Sequence, residues 1–296
     1  MLRNVIPGSW KSSKVKLRTI FSFPGWRGMF DIDKHWETIK DNQTFVDVVE
    51  VDPDIPKAEG HTRFVCVSDT HAQTQRLTAP NMPEGDVLIH AGDFSNVGME
   101  KDIIDFNAWL KDMPYDHKIV IAGNHDVSFD TENYCSELYE RFHKSRGLKK
   151  PYDPIAIKNL LTNCIYLEDS AVNVLGFDIY GSPWQPEFYA WGFNLPRCEL
   201  IQEKWKLIPD KVDILITHGP PLGRGDMCLP GKNRAGCHYL LDEIQQRIKP
   251  KYHVFGHIHE GYGISSDGTT TYINASTCTY SYKPINPPFV FDLPNR

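Results

Sequence analysis

The sequence predicts an α/β protein in which two sheets pack face to face, with helices on the outside. From residue 62 onward, short apolar runs typical of buried, mostly parallel strands alternate with helical patterns. In the middle of the chain, the short patterns at 171–174 and 177–180 indicate an antiparallel pair. The chain returns to strands at 270–275 and 289–293. This succession is typical of two mixed sheets.

Each predicted strand of the alternating part is followed by a predicted helix or by a loop. Strand patterns lie at 64–67, 86–91, 117–122, 212–217 and 253–256. The helix predicted at 99–111 places Ile103, Phe106 and Leu110 at helical spacing. Further helices are predicted at 133–144, 155–161, 196–207 and 238–248.

The composition indicates the class of protein and the cellular compartment in which we expect it. The chain has 296 residues, 41% of them hydrophobic and 24% charged, as in ordinary globular proteins. Its net charge of -6 argues against general binding to nucleic acid or to an anionic membrane. Seven scattered cysteines without a CxxC pair indicate a reducing compartment, and we expect the cytoplasm. The first 30 residues are basic and contain no acidic residue, so mitochondrial import is the alternative.

Side chains with metal-binding chemistry follow five of the strand patterns. Open α/β sheets place their sites just beyond the carboxyl ends of the strands, where we expect these side chains to meet. Two of the pairs, Asp69 with His71 and His257 with His259, have the spacing that puts alternate residues on one side of an extended segment. In chain order the seven candidates are Asp69, His71, Asp93, Asn124, His218, His257 and His259.

The candidates suit divalent transition metals. His, Asp and Asn without a thiolate suit Mn, Fe or Zn, and of these we expect Mn. Seven ligands exceed the roughly four of a tetrahedral site. They fit two ions that share a bridging carboxylate, an arrangement that lowers the pKa of a bound water to about 7. We therefore predict a dinuclear centre that holds hydroxide as the nucleophile.

The order of these blocks is similar to that of the calcineurin-like metallophosphoesterase superfamily. The matching blocks are Asp69-Thr70-His71, Gly92-Asp93, Gly123-Asn124-His125-Asp126, His218 and Gly256-His257-Ile258-His259. The tracts at 64–71, 217–223, 255–263 and 272–278 further resemble its metallophosphoesterase-domain-containing branch of small animal proteins. Because the resemblance runs from about residue 62 to 275, we assign 61–296 to the catalytic domain. Residues 1–60 are then an N-terminal extension, partly flexible.

The resemblance implies a four-layer α/β/β/α sandwich and a role for each matching residue. One metal is held by Asp69, His71, Asp93 and His259, and the other by Asn124, His218 and His257, with Asp93 bridging. His125 matches the histidine that stabilises or protonates the leaving oxygen, and Asp126 matches its orienting carboxylate. For Asp126 the alternative is a cap on the following segment. Some members of the branch carry Gly at the position of His257, so its presence here implies a complete site.

We therefore predict that the protein is a metal-dependent phosphoesterase, in which a metal-bridging hydroxide attacks phosphorus. We expect a phosphodiesterase that acts on cyclic nucleotides or similar small phosphodiesters, because the resemblance to this branch implies it and because no obvious Arg clamp for a dianion lies near the motifs. The alternatives are a phosphomonoesterase and a weakly active metal-binding scaffold for nucleotides or protein partners. The sequence leaves the oligomeric state open.

Two further interpretations concern aromatic and histidine side chains outside the motifs. The stretch 182–196 contains Trp184, Trp191, Phe193 and Asn194, which we expect to pack under a long loop. The alternative is that they stack on a nucleobase. His90, on an apolar strand, is expected to be a hydrogen-bonded core residue.

Overall fold

The computed structural model describes residues 31–296, which contain two mixed sheets. The first sheet has five strands in the order β15-β1-β2-β3-β4, with β15 antiparallel to β1 and the others parallel. Its strands are β1 (His61–Val67), β2 (Val87–His90), β3 (His117–Val120), β4 (Ile165–Tyr166) and β15 (Phe289–Pro294).

The second sheet has six strands in the order β13-β14-β12-β9-β6-β5. Its four inner strands are parallel, and β13 and β5 close the two edges in antiparallel orientation. Its strands are β5 (Ser170–Val174), β6 (Phe177–Ser182), β9 (Ile214–Thr217), β12 (Tyr252–Phe255), β13 (Gly263–Ser266) and β14 (Thr271–Asn274). Two short pairs lie in loops: β7 (Gln185–Pro186) with β8 (Asn194–Leu195), and β10 (Met227–Cys228) with β11 (Asn233–Arg234).

Residues 31–296 also contain five α-helices, two π-helices and several short 3₁₀ segments. The α-helices are α1 (Ile32–Ile39), α2 (Glu100–Asp112), α3 (Pro154–Lys158), α4 (Glu199–Lys206) and α5 (His238–Glu243). The helix predicted at 133–144 is a π-helix, Tyr134–His143, and α5 continues as a second π-helix, Ile244–Ile248. Short 3₁₀ segments are Lys40–Asn42, Thr74–Arg76, Ala79–Asn81, Val127–Phe129, Lys144–Arg146 and His259–Gly261.

Alternation of side chains along β1 divides the interior into layers. Phe64 and Cys66 point into an apolar layer that also receives Ile179 of β6 and Ile216 of β9, so this layer lies between the two sheets. Val65 and Val67 point the other way, into the cluster that contains residues of α2. The opposite face of the second sheet packs on α4 and α5 in the same manner, through side chains that include Leu215, Trp205 and Leu240. The predicted α/β/β/α sandwich is confirmed.

The domain boundary predicted at residue 60 stays a prediction, and the structure adds that a helix before it packs on the domain. The compact unit runs from Ile32 to Arg296, because α1 packs its apolar side chains against the domain. Ile32 and Trp36 of α1 are buried with Leu222 and Leu241. The eight-residue helix lies outside the matching motifs, which is why the sequence assigned it to the extension. Predictions for residues 1–30, including flexibility and import, lie outside the described residues. Within 31–296, no helix has the length and apolarity that crossing a bilayer requires.

The layer between the sheets allows a direct test of the sandwich. Phe177 is fully buried there, with its ring edge-on to Phe64 of the other sheet at 5.5 Å. We expect Phe177→Ala to lower the free energy of unfolding by about 3–5 kcal/mol, because it leaves a cavity between the sheets. Urea denaturation followed by tryptophan fluorescence measures the change.

Leu200, which is exposed on α4, provides the matched control. Leu200→Ala should change stability by less than about 0.5 kcal/mol. Equal losses in the two variants would contradict the assignment of Phe177 to the inter-sheet core.

Candidate metal centre

The predicted ligands meet where the parallel strands of both sheets end. Asp69, Asp93 and Asn124 follow strands of the first sheet, and His218 and His257 follow strands of the second. Backbone hydrogen bonds hold the strand ends together. Asp69 N donates to Gly92 O at 2.9 Å, and Thr277 N, beyond β14, donates to Ser68 O across the two sheets at 2.8 Å.

Two glycines in the motifs allow the ligand loops to approach one another. A Cβ atom on Gly123 would overlap the Asp93 carboxylate, and one on Gly256 would overlap the carboxylate of Asp69. The residue before Asn124 and the residue before His257 must therefore lack a side chain. This contact explains why glycine precedes these two ligands in the sequence.

The ligand segments adopt a backbone conformation that side-chain-bearing residues rarely use. Positive φ angles of 44–67° occur at four of the seven predicted ligands: Asp69, His71, Asp93 and His257. Such conformations cost roughly 1–3 kcal/mol each and persist where the surroundings enforce them. Their concentration at one strand edge is typical of a functional site.

The first group of ligands consists of Asp69, His71 and His259, whose ligand atoms lie within 4.8 Å of one another. The Nε2 atoms of His71 and His259 are only 3.1 Å apart, and His259 Nε2 lies 3.4 Å from Asp69 Oδ1. On its other side, His259 Nδ1 donates to Thr279 O at 3.0 Å. This bond orients the ring so that its Nε2 lone pair faces the cluster.

The second group consists of Asp93, His218 and His257, with Asn124 beside it. His218 Nε2 lies 3.3 Å from Asp93 Oδ2 and 3.0 Å from Asn124 Oδ1. The Nδ1 atom of His218 donates to Ala91 O at 2.9 Å, again turning Nε2 toward the cluster. Asp93 connects the groups, since the same Oδ2 atom lies 3.9 Å from His71 Nε2 of the first group.

Divalent ions fit this donor set. Asp69 and Asp93 are 0% and 2% exposed, and within residues 31–296 no Lys or Arg is paired with either carboxylate. Burial lowers the pKa of both His71 and His257 to about 3, so these imidazoles are neutral and available as ligands. The Nε2 atoms of His71 and His259, 3.1 Å apart, both lie at the carboxylate cluster. The buried Asn124 Nδ2 also lacks a hydrogen-bond partner among the described residues.

Histidine pairing with the carboxylates counteracts the effect of burial on their pKa. Burial favours the protonated form of Asp93, but the neighbouring His218 and His125 hold its pKa well below the usual range. For His218, burial acts to lower the pKa, but the effect of the neighbouring Asp93 is larger and the pKa is raised to about 9. The cluster therefore retains anionic carboxylates in a buried position.

Asp126 lies next to the site, and its carboxylate bonds to groups of two loops. Its carboxylate accepts hydrogen bonds from Ser95 N and Oγ and from Gly123 N, at 2.6–2.9 Å, and it does not contact the His125 ring. It does not cap the following 3₁₀ segment either. Asp126 instead ties the loop after β2 to the loop after β3. The pKa of its carboxyl is raised to about 7 by burial and by the nearby Asp93 charge.

His125 lies at the cluster, but a backbone group orients it. Its Nδ1 donates to the carbonyl oxygen of Asn96 at 2.8 Å. The ring stacks on Trp191 with centroids 4.0 Å apart and an interplanar angle of 24°. A ligand atom of His125 also lies within 4.8 Å of those of His71 and Asp93. The Asn96 carbonyl therefore takes the orienting position that the sequence assigned to Asp126.

The aromatic stretch divides between core and site. Trp184 and Phe193 are buried, as the packing interpretation expected, and Trp184 Nε1 donates to Asp169 at 2.9 Å. Trp191 differs, because it lies against His125. His90 is buried and its Nε2 forms a 3.0 Å hydrogen bond with Thr70 Oγ1, as expected of a core histidine.

Sequence reasoning missed one residue that supports the centre. Ser276 Oγ donates to Asp69 Oδ2 at 2.8 Å and thereby fixes that carboxylate. Ser276 follows β14, another parallel strand of the second sheet. The rule that sites form at strand ends would have identified it.

Comparison with known proteins agrees with this geometry. The family model for calcineurin-like phosphoesterases matches residues 62–261. The chain belongs to that family. Metallophosphoesterase domain-containing protein 1 of human and of mouse are each 57% identical over 249 residues, covering 82% of this chain and 76% of theirs. A UPF0046 protein of Caenorhabditis elegans is 41% identical over 268 residues, covering 88% of this chain and 67% of its own.

A solved structure supports the fold alone. It aligns with a TM-score of 0.53 at 13% identity and covers 80% of this chain and 100% of its own. The predicted family and its branch are confirmed by these matches. Membership supports hydrolysis of phosphoesters with divalent metal ions, which the candidate ligands fit.

Metal binding should stabilise the protein measurably. We expect Mn²⁺ added to chelator-treated protein to raise the melting temperature by roughly 5–10 °C at about 100 times the dissociation constant. The reason is that the ions neutralise two buried carboxylates. Asp93→Asn should remove most of the rise in differential scanning fluorimetry.

The control is Asp112→Asn, at the end of α2, which should retain the full rise. A melting temperature that responds equally to Mn²⁺ in the Asp93 variant would exclude Asp93 as a ligand.

Proposed function

We propose that this protein is a dinuclear metal-dependent phosphodiesterase that hydrolyses cyclic nucleotides or similar small phosphodiesters. The observation that carries the proposal is the position of Asp93. One oxygen of this carboxylate faces His71 of the first group and His218 of the second. A shared carboxylate between two histidine groups is the arrangement that two neighbouring cations require.

In this mechanism, each group of side chains has a distinct task. Asp69, His71 and His259 would hold one ion, Asn124, His218 and His257 would hold the other, and Asp93 lies between these two groups of side chains. When bound, the two ions supply positive charge for the phosphoryl oxygens and lower the pKa of the attacking water. Asn124 Nδ2, which has no hydrogen-bond partner in the part of the chain that the structure describes, is a buried donor for a phosphoryl oxygen.

His125 is the residue we assign to the leaving oxygen. Its Nδ1 proton is committed to Asn96 O, so Nε2 is the atom that carries the transferable proton. Stacking on Trp191 fixes the plane of the ring. Proton donation from this position offsets the charge that develops on the departing alkoxide.

Charge favours a diester over a monoester. None of the hydrogen bonds or ion pairs described for the seven ligands within residues 31–296 involves Lys or Arg. A monoester dianion is usually bound by an Arg clamp or an equivalent cation. A diester carries a single negative charge and has less need of one. A phosphomonoesterase is therefore the second candidate.

We further propose Mn²⁺ as the metal and the cytoplasm as the location. Nitrogen and oxygen ligands without thiolate suit Mn²⁺, with Fe or Zn as alternatives. All seven cysteines, each within the described residues, are free, as proteins of reducing compartments usually have them.

Hydrolysis of bis(p-nitrophenyl) phosphate by metal-reconstituted protein tests the proposal. We expect turnover that depends on Mn²⁺, and a loss of at least about a hundredfold in kcat/KM for Asp93→Asn. Asp112→Asn should retain activity. Absence of metal-dependent turnover would favour a binding scaffold, and a preference for p-nitrophenyl phosphate would favour a monoesterase.

The role of His125 predicts a dependence on the leaving group. His125→Asn should slow a diester with an alkyl leaving group at least about tenfold more than one with a p-nitrophenyl leaving group, because p-nitrophenolate departs without a proton. Trp191→Leu should show a smaller difference between the two substrates, of the same sign. Trp191→Phe should behave like the unaltered protein, because it keeps a ring against His125. Equal slowing of both substrates in His125→Asn would contradict proton donation by this residue.

A further inference from the structure

Two exposed aromatic side chains flank the two halves of the ligand cluster. Phe188 lies edge-on to the ring of His257, with centroids 5.5 Å apart. Tyr282 lies 4.8 Å from the ring of His71 and 5.1 Å from that of His259. Phe188 and Tyr282 are 40% and 48% exposed, beside the histidines proposed to hold the two ions. Large apolar surface left in solvent next to a polar site is typical of a ligand-binding surface.

Hydrogen bonds to the backbone fix both aromatic residues in place. Tyr282 N donates to Thr279 O at 2.7 Å, and Tyr282 O accepts from Gln73 Nε2 at 3.0 Å. Phe188 O accepts from Asn194 Nδ2 at 2.8 Å and from Trp191 N at 3.2 Å. The rings are therefore held on anchored segments, and a ligand would meet surfaces that are already ordered.

The loops that present these rings have an unfavourable backbone conformation. Tyr282 has a φ of 56°, and Tyr189 and Ala190, directly after Phe188, have φ angles of 46° and 51°. Bulky residues in this region are outliers that only their surroundings can maintain. Such conformations cluster where ligands bind. Exposure and local strain thus coincide at Tyr282, and at Phe188 the strain lies in the two residues that follow it.

We infer that Phe188 and Tyr282 form the binding site for a planar ring carried by an ester group of the substrate. The inference rests on the proposed function, because it concerns the same phosphodiester. Every nucleobase and aryl ester offers a π face that stacks on an aromatic side chain without requiring a particular hydrogen-bond pattern. The site therefore selects aromatic phosphodiesters over alkyl ones and tolerates different rings.

Two matched ligands that are not turned over test this inference by calorimetry on the Mn²⁺-loaded full-length protein. The phenyl ligand benzyl(methyl)phosphinate and the alkyl ligand propyl(methyl)phosphinate carry the same single charge, contain no P–O ester bond that hydroxide could cleave, and differ in the ring. We expect the phenyl ligand to bind about tenfold more tightly, within the range that base–aromatic stacking provides. Phe188→Leu and Tyr282→Leu should each reduce this ratio, or leave it unchanged if the remaining ring is sufficient for stacking. The double variant should bring the ratio within about twofold of unity.

Conservative and neighbouring variants provide the controls. Phe188→Tyr and Tyr282→Phe should retain the preference, because each keeps a ring. Tyr280→Leu removes a tyrosine that is 62% exposed two residues from Tyr282, and within the described chain it makes no ring contact with a ligand histidine. It should also retain the preference. The rise of melting temperature with Mn²⁺ reports whether each variant is folded.

The outcomes separate this inference from the proposed function. Equal binding of the two ligands to the unaltered protein, a preference that survives in the double variant, or its loss in Tyr280→Leu would each overturn the inference. A preference that depends on Phe188 and Tyr282, without hydrolysis of bis(p-nitrophenyl) phosphate, would overturn the proposed function alone. Hydrolysis of bis(p-nitrophenyl) phosphate without a preference for the phenyl ligand would overturn this inference and support the proposed function.

Discussion

Burial of two carboxylates that have no Lys or Arg partner within residues 31–296 is the constraint on which the site depends. Asp69 and Asp93 are almost inaccessible, and moving such charges out of water costs several kcal/mol each. Their described charged neighbours are histidines, and burial keeps some of these neutral, including His71. A bound divalent cation resolves this imbalance because it is the strongest local charge in such a site.

The fold makes this arrangement possible by bringing two sheets together at one edge. Parallel strands of both sheets point their carboxyl ends to the same place, so ligands far apart in sequence converge there. Apolar layers on both faces of the sheets fix the strands, and the loops take up the strain. The positive φ angles at Asp69 and His257 are thus supported by packing elsewhere in the domain.

The sequence predicted what depends on local pattern. Apolar runs and the residues after them were sufficient to bring Asp69 and His218 into one site, because strand direction and strand ends follow from periodicity. The partner of His125 could not be predicted, since a backbone carbonyl such as that of Asn96 leaves no trace in residue type. The burial of Trp36 depends on a distant surface around Leu222, and the exposure of Tyr282 depends on a loop conformation. Tertiary contacts alone determine these features.

Charge balance connects the proposed centre with the proposed substrate. Two divalent ions against the carboxylates of Asp69 and Asp93 leave two positive charges uncompensated. A diester and a hydroxide nucleophile together bring two negative charges, which match that excess and leave the proton of His125 for the departing oxygen. A monoester dianion with hydroxide would bring three, and His125 would have to balance the third before the reaction began. With no cationic side chain paired to the described ligands, a diester is the better electrostatic match, and aromatic surfaces such as Phe188 can add affinity without adding charge.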